Sequence, residues 1–308
     1  MTFGDMDFSP LNENDIPLIK KYLALAGYEE SNHNLVNLLM WQNQFPLFKY
    51  IAEHWVLLLG IHQGTLFLYM PLCERKYLDD AIEQASAIFH KAGISFVMSA
   101  YTKEVKEQIL EKHPNFCACS PRESYDYVYE REKLVTLSGK KLQKRRNHYN
   151  GFMKTYGDRY KFEPIDNYIE QCKDLLKSWK DDDDDEFLYY ERLGTEYVLD
   201  NYQILQAKGG CLLINDKVEG FIIGSYGSKR MVQINIEKAN DQIRGIYQVL
   251  ESEFLSRNFT DCELVNREDD MGKQNLRDAK MASMPLYLIE KYRICEEVKH
   301  DCQGGCKG

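Results

Sequence analysis

Residues 231–257, MVQINIEKANDQIRGIYQVLESEFLSR, switch hydrophobic period near Ala239. Val232, Ile234 and Ile236 alternate with Gln233, Asn235 and Glu237, the period of a half-buried strand. Ile243, Ile246, Tyr247, Leu250, Phe254 and Leu255 then recur at helical spacing. The stretch is a strand, a tight polar turn and a helix. Helix-like and strand-like segments alternate along the rest of the chain too, which sets a layered α+β class. Asn240 or Asp241 can cap the helix, whose first turn carries backbone N–H groups without intrahelical partners. Such a helix start attracts phosphate or carboxylate, and Gly245 puts no side chain in a ligand's way. The alternative is a capped core helix with an incidental glycine.

Size and charge narrow the function classes. A chain of 308 residues has room for two ordinary domains. No apolar run approaches membrane-spanning length. Residues 1–10 hold neither a basic start nor an apolar signal core, so no secretion signal is expected. Nine scattered cysteines, an odd number, fit reduced cytoplasmic thiols better than a disulfide framework. At a net charge of −9 the molecule is no general polyanion binder, so any nucleic-acid contact must come from a local basic patch.

Helices are expected at 11–28, 34–42, 77–92 and 103–112, and strands at 47–52, 55–61, 65–70, 94–100 and 125–129. These make one layered unit over residues 1–130. Residues 132–137 read as a link. A second unit, 131–296, has helices at 142–156, 168–180, 191–207 and 273–281 besides the central one. Its strands are expected at 160–164, 211–214, 218–226, 261–265 and 286–294 around the central strand, with Gly209-Gly210 ending the helix before them. Residues 297–308 read as a flexible tail. The units share an order of elements without residue-level repetition.

An antiparallel meander feeding strand–turn–helix, then strand, helix and strand, resembles the GNAT N-acyltransferase fold. Three strings sharpen the resemblance: LSGKKLQKRRNHYNGF at 137–152, INIEKANDQIRGIYQVLESEF at 234–254 and ELVNREDDMGKQNLRDAKMASMPLYLIEKY at 263–292. They are similar to a bacterial family of unassigned function that groups with the C-terminal catalytic domain of phosphatidylglycerol lysyltransferases. Two units in tandem also resemble the aminoacyl-tRNA-dependent transferases that build peptidoglycan cross-bridges. The resemblance covers most of residues 125–295. It implies an α+β chain of two tandem GNAT-like units, each a mixed, mostly antiparallel sheet flanked by helices. It implies that the fourth and fifth strands splay to admit the donor's arm, and that the helix after the fourth strand receives the donor's pyrophosphate. It implies no tightly bound cofactor, with aminoacyl-tRNA or acyl-CoA as co-substrate. Gly245 is the only glycine in the turn, where the GNAT fold usually has more, which tilts the donor toward aminoacyl-tRNA.

Lys140, Lys141, Lys144, Arg145 and Arg146 place five cations in residues 139–146. On a helix, Lys141, Lys144 and Arg145 share a face. Such a patch can hold tRNA backbone, a CoA phosphate or a lipid headgroup. The alternative is a solvated basic helix, paired with the acidic run at 181–186. Amine acylation needs a group that takes a proton from the attacking nitrogen, and Glu237, Glu268 and Asp269 are the candidates. Glu237 stands out because a carboxylate is unexpected in an apolar strand. For Asp269 and Asp270 a solvated capping loop is the competing reading. Arg267 can meet an oxyanion or a phosphate. Lys238, Asn240, Arg244, Gly245 and Asn266 complete the candidate donor site. No metal site is expected: Cys117 and Cys119 lack a matching pair, and Cys295, His300, Cys302 and Cys306 read as part of a frayed terminus. The expected function is cytoplasmic acyl or aminoacyl transfer to an amine or hydroxyl on a small molecule, peptide or lipid headgroup. The alternative is a non-catalytic module that binds tRNA, nucleotide or a protein partner.

Overall fold

The structure is a computed structural model that describes residues 2, 3, 6–178 and 186–296. His300, Cys302, Cys306 and residues 181–185 of the acidic run lie outside them. Met1–Asp126 with the segment from Ile289 onward forms one compact unit, and Tyr127–Leu288 forms the other. This differs from a division at 130/131 with the second unit running to 296. The expected strand at 286–294 is broken at Glu290 and Lys291. Tyr287–Ile289 belongs to the second sheet, whereas Tyr292–Cys295 lies between Val97–Tyr101 and Cys117–Cys119 in the first. The physical reason is side-chain placement. Lys291 is buried against Asp126 and Ile294 is fully buried in the first core.

The first sheet runs Ser9–Pro10, Leu47–Ile51, Trp55–His62, Thr65–Leu68, Val97–Tyr101, Tyr292–Cys295, Cys117–Cys119, with Leu72–Cys73 paired to Trp55–His62. Thr65–Leu68 meets Val97–Tyr101 in parallel and its other recorded pairings are antiparallel. Helix Leu78–Lys91 drives Leu78, Ala81, Ile82, Ala85 and Phe89 into this core at i, i+3, i+4, i+7 spacing.

The second sheet runs Tyr160–Pro164, Lys208–Ile214, Lys217–Tyr226, Met231–Ala239, Leu264–Asn266, Asp126–Glu130, Tyr287–Ile289. Met231–Ala239 and Leu264–Asn266 are parallel, and they pair over three positions only, ending at Gln233↔Asn266. The longer strand then runs on for six residues without that neighbour, so the sheet opens. The mixed α+β class is as expected. Two local expectations change. Residues 132–137 are not a link, because Arg131–Thr136 is helical. Gly209 and Gly210 lie inside a strand, where a Cβ would stand 2.5 Å from Ile165 and 2.2 Å from the Phe162 ring. Their missing side chains make room for the neighbouring elements rather than ending a helix.

The helix Ile246–Arg257 is the centre of the second core. Ile246, Val249, Leu250, Phe254 and Leu255 are buried among sheet residues Leu212, Ile222, Val232 and Ile234. Glu251 and Ser252 are buried on it as well, with Ser252 Oγ donating to the Val135 carbonyl at 2.8 Å, while Ser256 and Arg257 at its end are exposed. No helix among the described residues is long and apolar enough to cross a membrane. None of the seven cysteines among the described residues is in a disulfide.

Candidate functional site

The opening between the two parallel strands is where the second unit concentrates buried charge. Strand Met231–Ala239 carries a bulge: Ile223 pairs with Ile236 but Gly224 with Ile234, which leaves Asn235 as the extra residue. Strict alternation would have put Glu237 on the face opposite Ile234. The bulge returns it to the face of Val232, Ile234 and Ala239, which packs on the buried helix. There Glu237 Oε2 accepts from Arg267 Nη2 at 2.9 Å. Arg267 Nε lies 3.0 Å from Glu251 Oε1, and Arg145 Nη2 donates to Glu251 Oε2 at 2.8 Å. Two carboxylates and two guanidiniums thus alternate in a chain, with side-chain exposures of 12% for Glu237, 15% for Arg267, 1% for Glu251 and 12% for Arg145. Arg267 Nη1 also donates to Ser283 Oγ, and the guanidinium lies over the Tyr129 ring.

Burial pushes the Glu237 carboxyl above the ordinary carboxylate range. Glu251 adds to that, while Arg267 and Arg145 pull against it without prevailing. Burial opposes the charge on Arg267, but Glu251 and Glu237 outweigh it and hold the guanidinium firmly protonated. Glu237 Oε1 is buried and has no hydrogen-bond partner. A raised carboxyl with one committed and one open oxygen is suited to accept a proton.

The other expected site residues are distributed more widely. Glu268 Oε1 accepts from Gln233 Nε2 at 2.7 Å, and Gln233 precedes the bulge on the face opposite Glu237. Glu237 and Glu268 are therefore not one carboxylate pair. Asp269 accepts the Met271 N–H at 3.2 Å, as a loop cap does. Asn266 is fully buried and accepts the Glu268 N–H at 2.7 Å. Asp270, read with Asp269 as a solvated cap, is instead fully buried and bidentate to Arg277, with Tyr127 and the Gly272 N–H donating to it. Burial opposes its charge, yet these donors outweigh that and hold its carboxyl at about 2. This anchor fixes a loop in which Glu268 and Met271 take positive φ.

The cations separate in the same way. Lys140, Lys141 and Lys144 are exposed. Arg145 is turned inward to Glu251, and Arg146 donates to the Leu137 and Gly139 carbonyls and to Gln143. Lys238 is buried 2.7 Å from Glu191. Asn240 Nδ2 donates to Glu219 Oε2 while its Oδ1 caps Gln242. Arg244 is exposed beside His148, whose imidazole is held below its ordinary value by burial and then by Arg244, Lys144 and Arg145. Gly245 begins the buried helix at φ +87°, and a Cβ there would stand 2.3 Å from the His148 carbonyl oxygen. Its bare backbone admits helix Gln143–Tyr156, not an open ligand space on that side. Glu251, Tyr129 and Ser283 escaped the sequence reading. Glu251 carried a signal, a carboxylate between Leu250 and Phe254 on an apolar helix. Among the described residues no group of three or more His, Cys, Asp or Glu is placed to hold a metal ion.

A family model described as phosphatidylglycerol lysyltransferase, C-terminal, matches residues 24–295. An uncharacterized protein of Mycoplasmoides gallisepticum is 32% identical over 174 residues, 56% of each chain, so the match spans little more than half of that relative. Among solved structures, a conserved protein of unknown function from Bacteroides thetaiotaomicron shares 27% identity with a TM-score of 0.89, over 94% of this chain and 99% of that one. The C-terminal domain of a putative lysylphosphatidylglycerol synthetase from Agrobacterium fabrum has a TM-score of 0.68 at 13% identity, over 94% of each chain. L-PGS from Bacillus licheniformis has a TM-score of 0.68 at 12% identity, over 92% of each. With the sheet orders above, the fold is two α+β units, each a mixed, mostly antiparallel sheet flanked by helices, as in the C-terminal domain from Agrobacterium fabrum.

Proposed function

The chain belongs to the phosphatidylglycerol lysyltransferase C-terminal family, and from that premise we propose that it transfers an acyl or aminoacyl group, carried on aminoacyl-tRNA or acyl-CoA, to an amine or hydroxyl acceptor in the cytoplasm. The observation that carries the proposal is Glu237, with one oxygen on Arg267 and the other buried and unpartnered at the opening of the sheet. The acceptor nitrogen or oxygen attacks the donor's carbonyl carbon. Glu237 takes the proton that the acceptor loses. The carbon–oxygen or carbon–sulfur bond to the donor then breaks, and the same carboxyl returns the proton to the departing hydroxyl or thiol. Arg267, engaged by Glu237, Glu251 and Ser283, positions the base.

Two features support aminoacyl-tRNA as the donor. Arg244, Lys144 and Arg145 gather around His148 and add to the burial that holds its imidazole below the ordinary value. The space beside Gly245 is filled by helix backbone, which is poor accommodation for a CoA pyrophosphate on that side. In this reading the exposed lysines 140, 141 and 144 hold the tRNA backbone, with Lys238, Asn240 and Asn266 shaping the strand ends behind them.

The test is transfer from charged tRNA and from acyl-CoA to a panel of amine and hydroxyl acceptors, by the wild type and by Glu237→Gln. The expected result is a loss of about 10²–10⁴-fold in the variant. The kcat/KM of the wild type is expected to rise with pH along a limb above the ordinary carboxyl range, because Glu237 must lose its proton first, and the limb vanishes in Glu237→Gln. Binding of tRNA without turnover in either protein would establish the non-catalytic module instead.

A further inference from the structure

Every nitrogen of the Arg267 guanidinium is engaged. Nη2 donates to Glu237 at 2.9 Å, Nη1 donates to Ser283 Oγ at 3.3 Å, and Nε lies 3.0 Å from Glu251 Oε1. A guanidinium facing one carboxylate frequently takes it with two parallel N–H groups. Glu237 receives only one, and its Oε1 stays open. Glu251 is divided in the same way. Its Oε2 is held by Arg145 Nη2 at 2.8 Å, so it meets Arg267 with one oxygen.

Stability alone does not call for this arrangement. Glu251 has 1% side-chain exposure on the buried side of helix Ile246–Arg257, and a buried ion network is often no more stable than hydrocarbon side chains of similar volume. Its hydrogen bonding is also incomplete. Glu251 Oε1 and Arg145 Nε, like Glu237 Oε1, are buried with no hydrogen-bond partner. A network kept only for stability would satisfy them. The charges acting on Glu237 come from the loop after Leu264–Asn266 (Arg267), the buried helix (Glu251) and helix Gln143–Tyr156 (Arg145). Tyr129, beneath Arg267, stays neutral because burial lifts its phenol above the ordinary value.

We propose that Glu251 and Arg145 are positioning residues for the transfer: Glu251 keeps Arg267 from closing on Glu237 with two N–H groups, and Arg145 keeps Glu251 from drawing Arg267 away. The inference rests on Glu237 as the base. Arg145 stands in the same segment as the exposed Lys140, Lys141 and Lys144, so three ion pairs join the donor surface to the base. The two residues move Glu237 in opposite directions. Without the Glu251 charge, Arg267 turns fully to Glu237, whose carboxyl then gives up its proton at lower pH. Without the Arg145 charge, Glu251 takes Arg267 with both oxygens, and Glu237 keeps its proton to higher pH.

The experiment follows ¹³C-labelled glutamate carboxyls of the full chain by NMR across pH, with the Glu237 signal identified by its absence in Glu237→Gln. Glu251→Gln is expected to lower the Glu237 midpoint and Arg145→Gln to raise it. Arg145→Lys keeps the charge without the fork and is expected to raise the midpoint by less; it also serves where Arg145→Gln does not fold. The pH limb of kcat/KM moves with each midpoint. Arg145→Gln is expected to be about tenfold or more slower at pH 7 and to regain part of that rate as pH rises. A midpoint unmoved in Glu251→Gln and the Arg145 variants, or moved the same way in both, overturns the proposal. The titration needs no turnover. Opposite shifts in a chain without transfer activity would therefore leave the charge chain standing and overturn Glu237 as a base. A transferring chain whose Glu237 midpoint ignores both substitutions would overturn this proposal alone.

Discussion

Position 237 shows what a single residue discloses and what it withholds. A glutamate among isoleucines announces buried charge, and the structure leaves its side chain only 12% exposed. The sequence withheld its partners. Glu251 and Arg145 lie 14 and 92 positions away along the chain, and residues that distant leave no local pattern. Arg145 shows the opposite error. Counted with its neighbours it looked like one more surface cation, but its guanidinium is turned inward. Asp270 was misjudged because an acidic run resembles a solvated loop until its donors are placed around it. It also yields a pH prediction. Its carboxyl is held at about 2 in the folded chain, below its ordinary value near 4 when unfolded. The stability it adds is therefore present above about pH 4 and lost as pH falls from about 4 toward 2. In denaturant unfolding, Asp270→Asn is expected to cost about 2 kcal/mol at pH 7, and the gap from wild type to narrow across that acid window. A gap independent of pH would mean that Asp270 contributes through packing alone.

Elements were legible where hydrophobic period governed them, and less so where one residue altered the period. The strand at 231–239 and the helix after it were both evident. The bulge at Asn235 was not, because an extra residue is defined by the partner strand it fails to match. That bulge reverses the faces and turns Glu237 toward the helix. Gly245 was read as room for a ligand, and its neighbour proved to be the backbone of residues 143–156. Gly245→Ala is expected to lose at least about 2 kcal/mol, the positive-φ penalty plus the collision with the His148 carbonyl. Gly64, also at positive φ but with nothing within 4 Å, supplies the control. Gly64→Ala is expected to lose only the conformational part, about 1 kcal/mol. The basic segment makes a further prediction. Reversing Lys140, Lys141 and Lys144 to glutamate spares the Arg145–Glu251 pair, so the fold should hold while tRNA affinity falls and becomes less steeply salt-dependent. Equal salt slopes in variant and wild type would remove this surface from donor binding.

At the scale of the molecule, the C-terminal strand decides the division of the chain. Tyr292–Cys295 sits between two strands of the first sheet, and Ile294 is fully buried there. A chain ending at Ile289 is expected to lose about 3 kcal/mol or more from the first unit, through Ile294 and the interrupted sheet. Hydrogen exchange reports this directly. Amides of Val97–Tyr101 should lose protection while those of Lys208–Ile214 keep theirs. Equal loss in both would place the strand's contribution elsewhere. The sequence by itself determined the α+β class, the doubled order of elements and the position of the central strand and helix. All of these follow from near-neighbour periodicity and turn chemistry, which act over a few residues. It also determined that position 237 would carry an unusual charge. Only the tertiary structure decided which sheet takes the last strand, which face Glu237 occupies and which cations remain on the surface. Those outcomes depend on long-range register, one inserted residue in a ladder, and the cost of burying a charge without its opposite. Such quantities exist only once segments far apart in the chain are in contact.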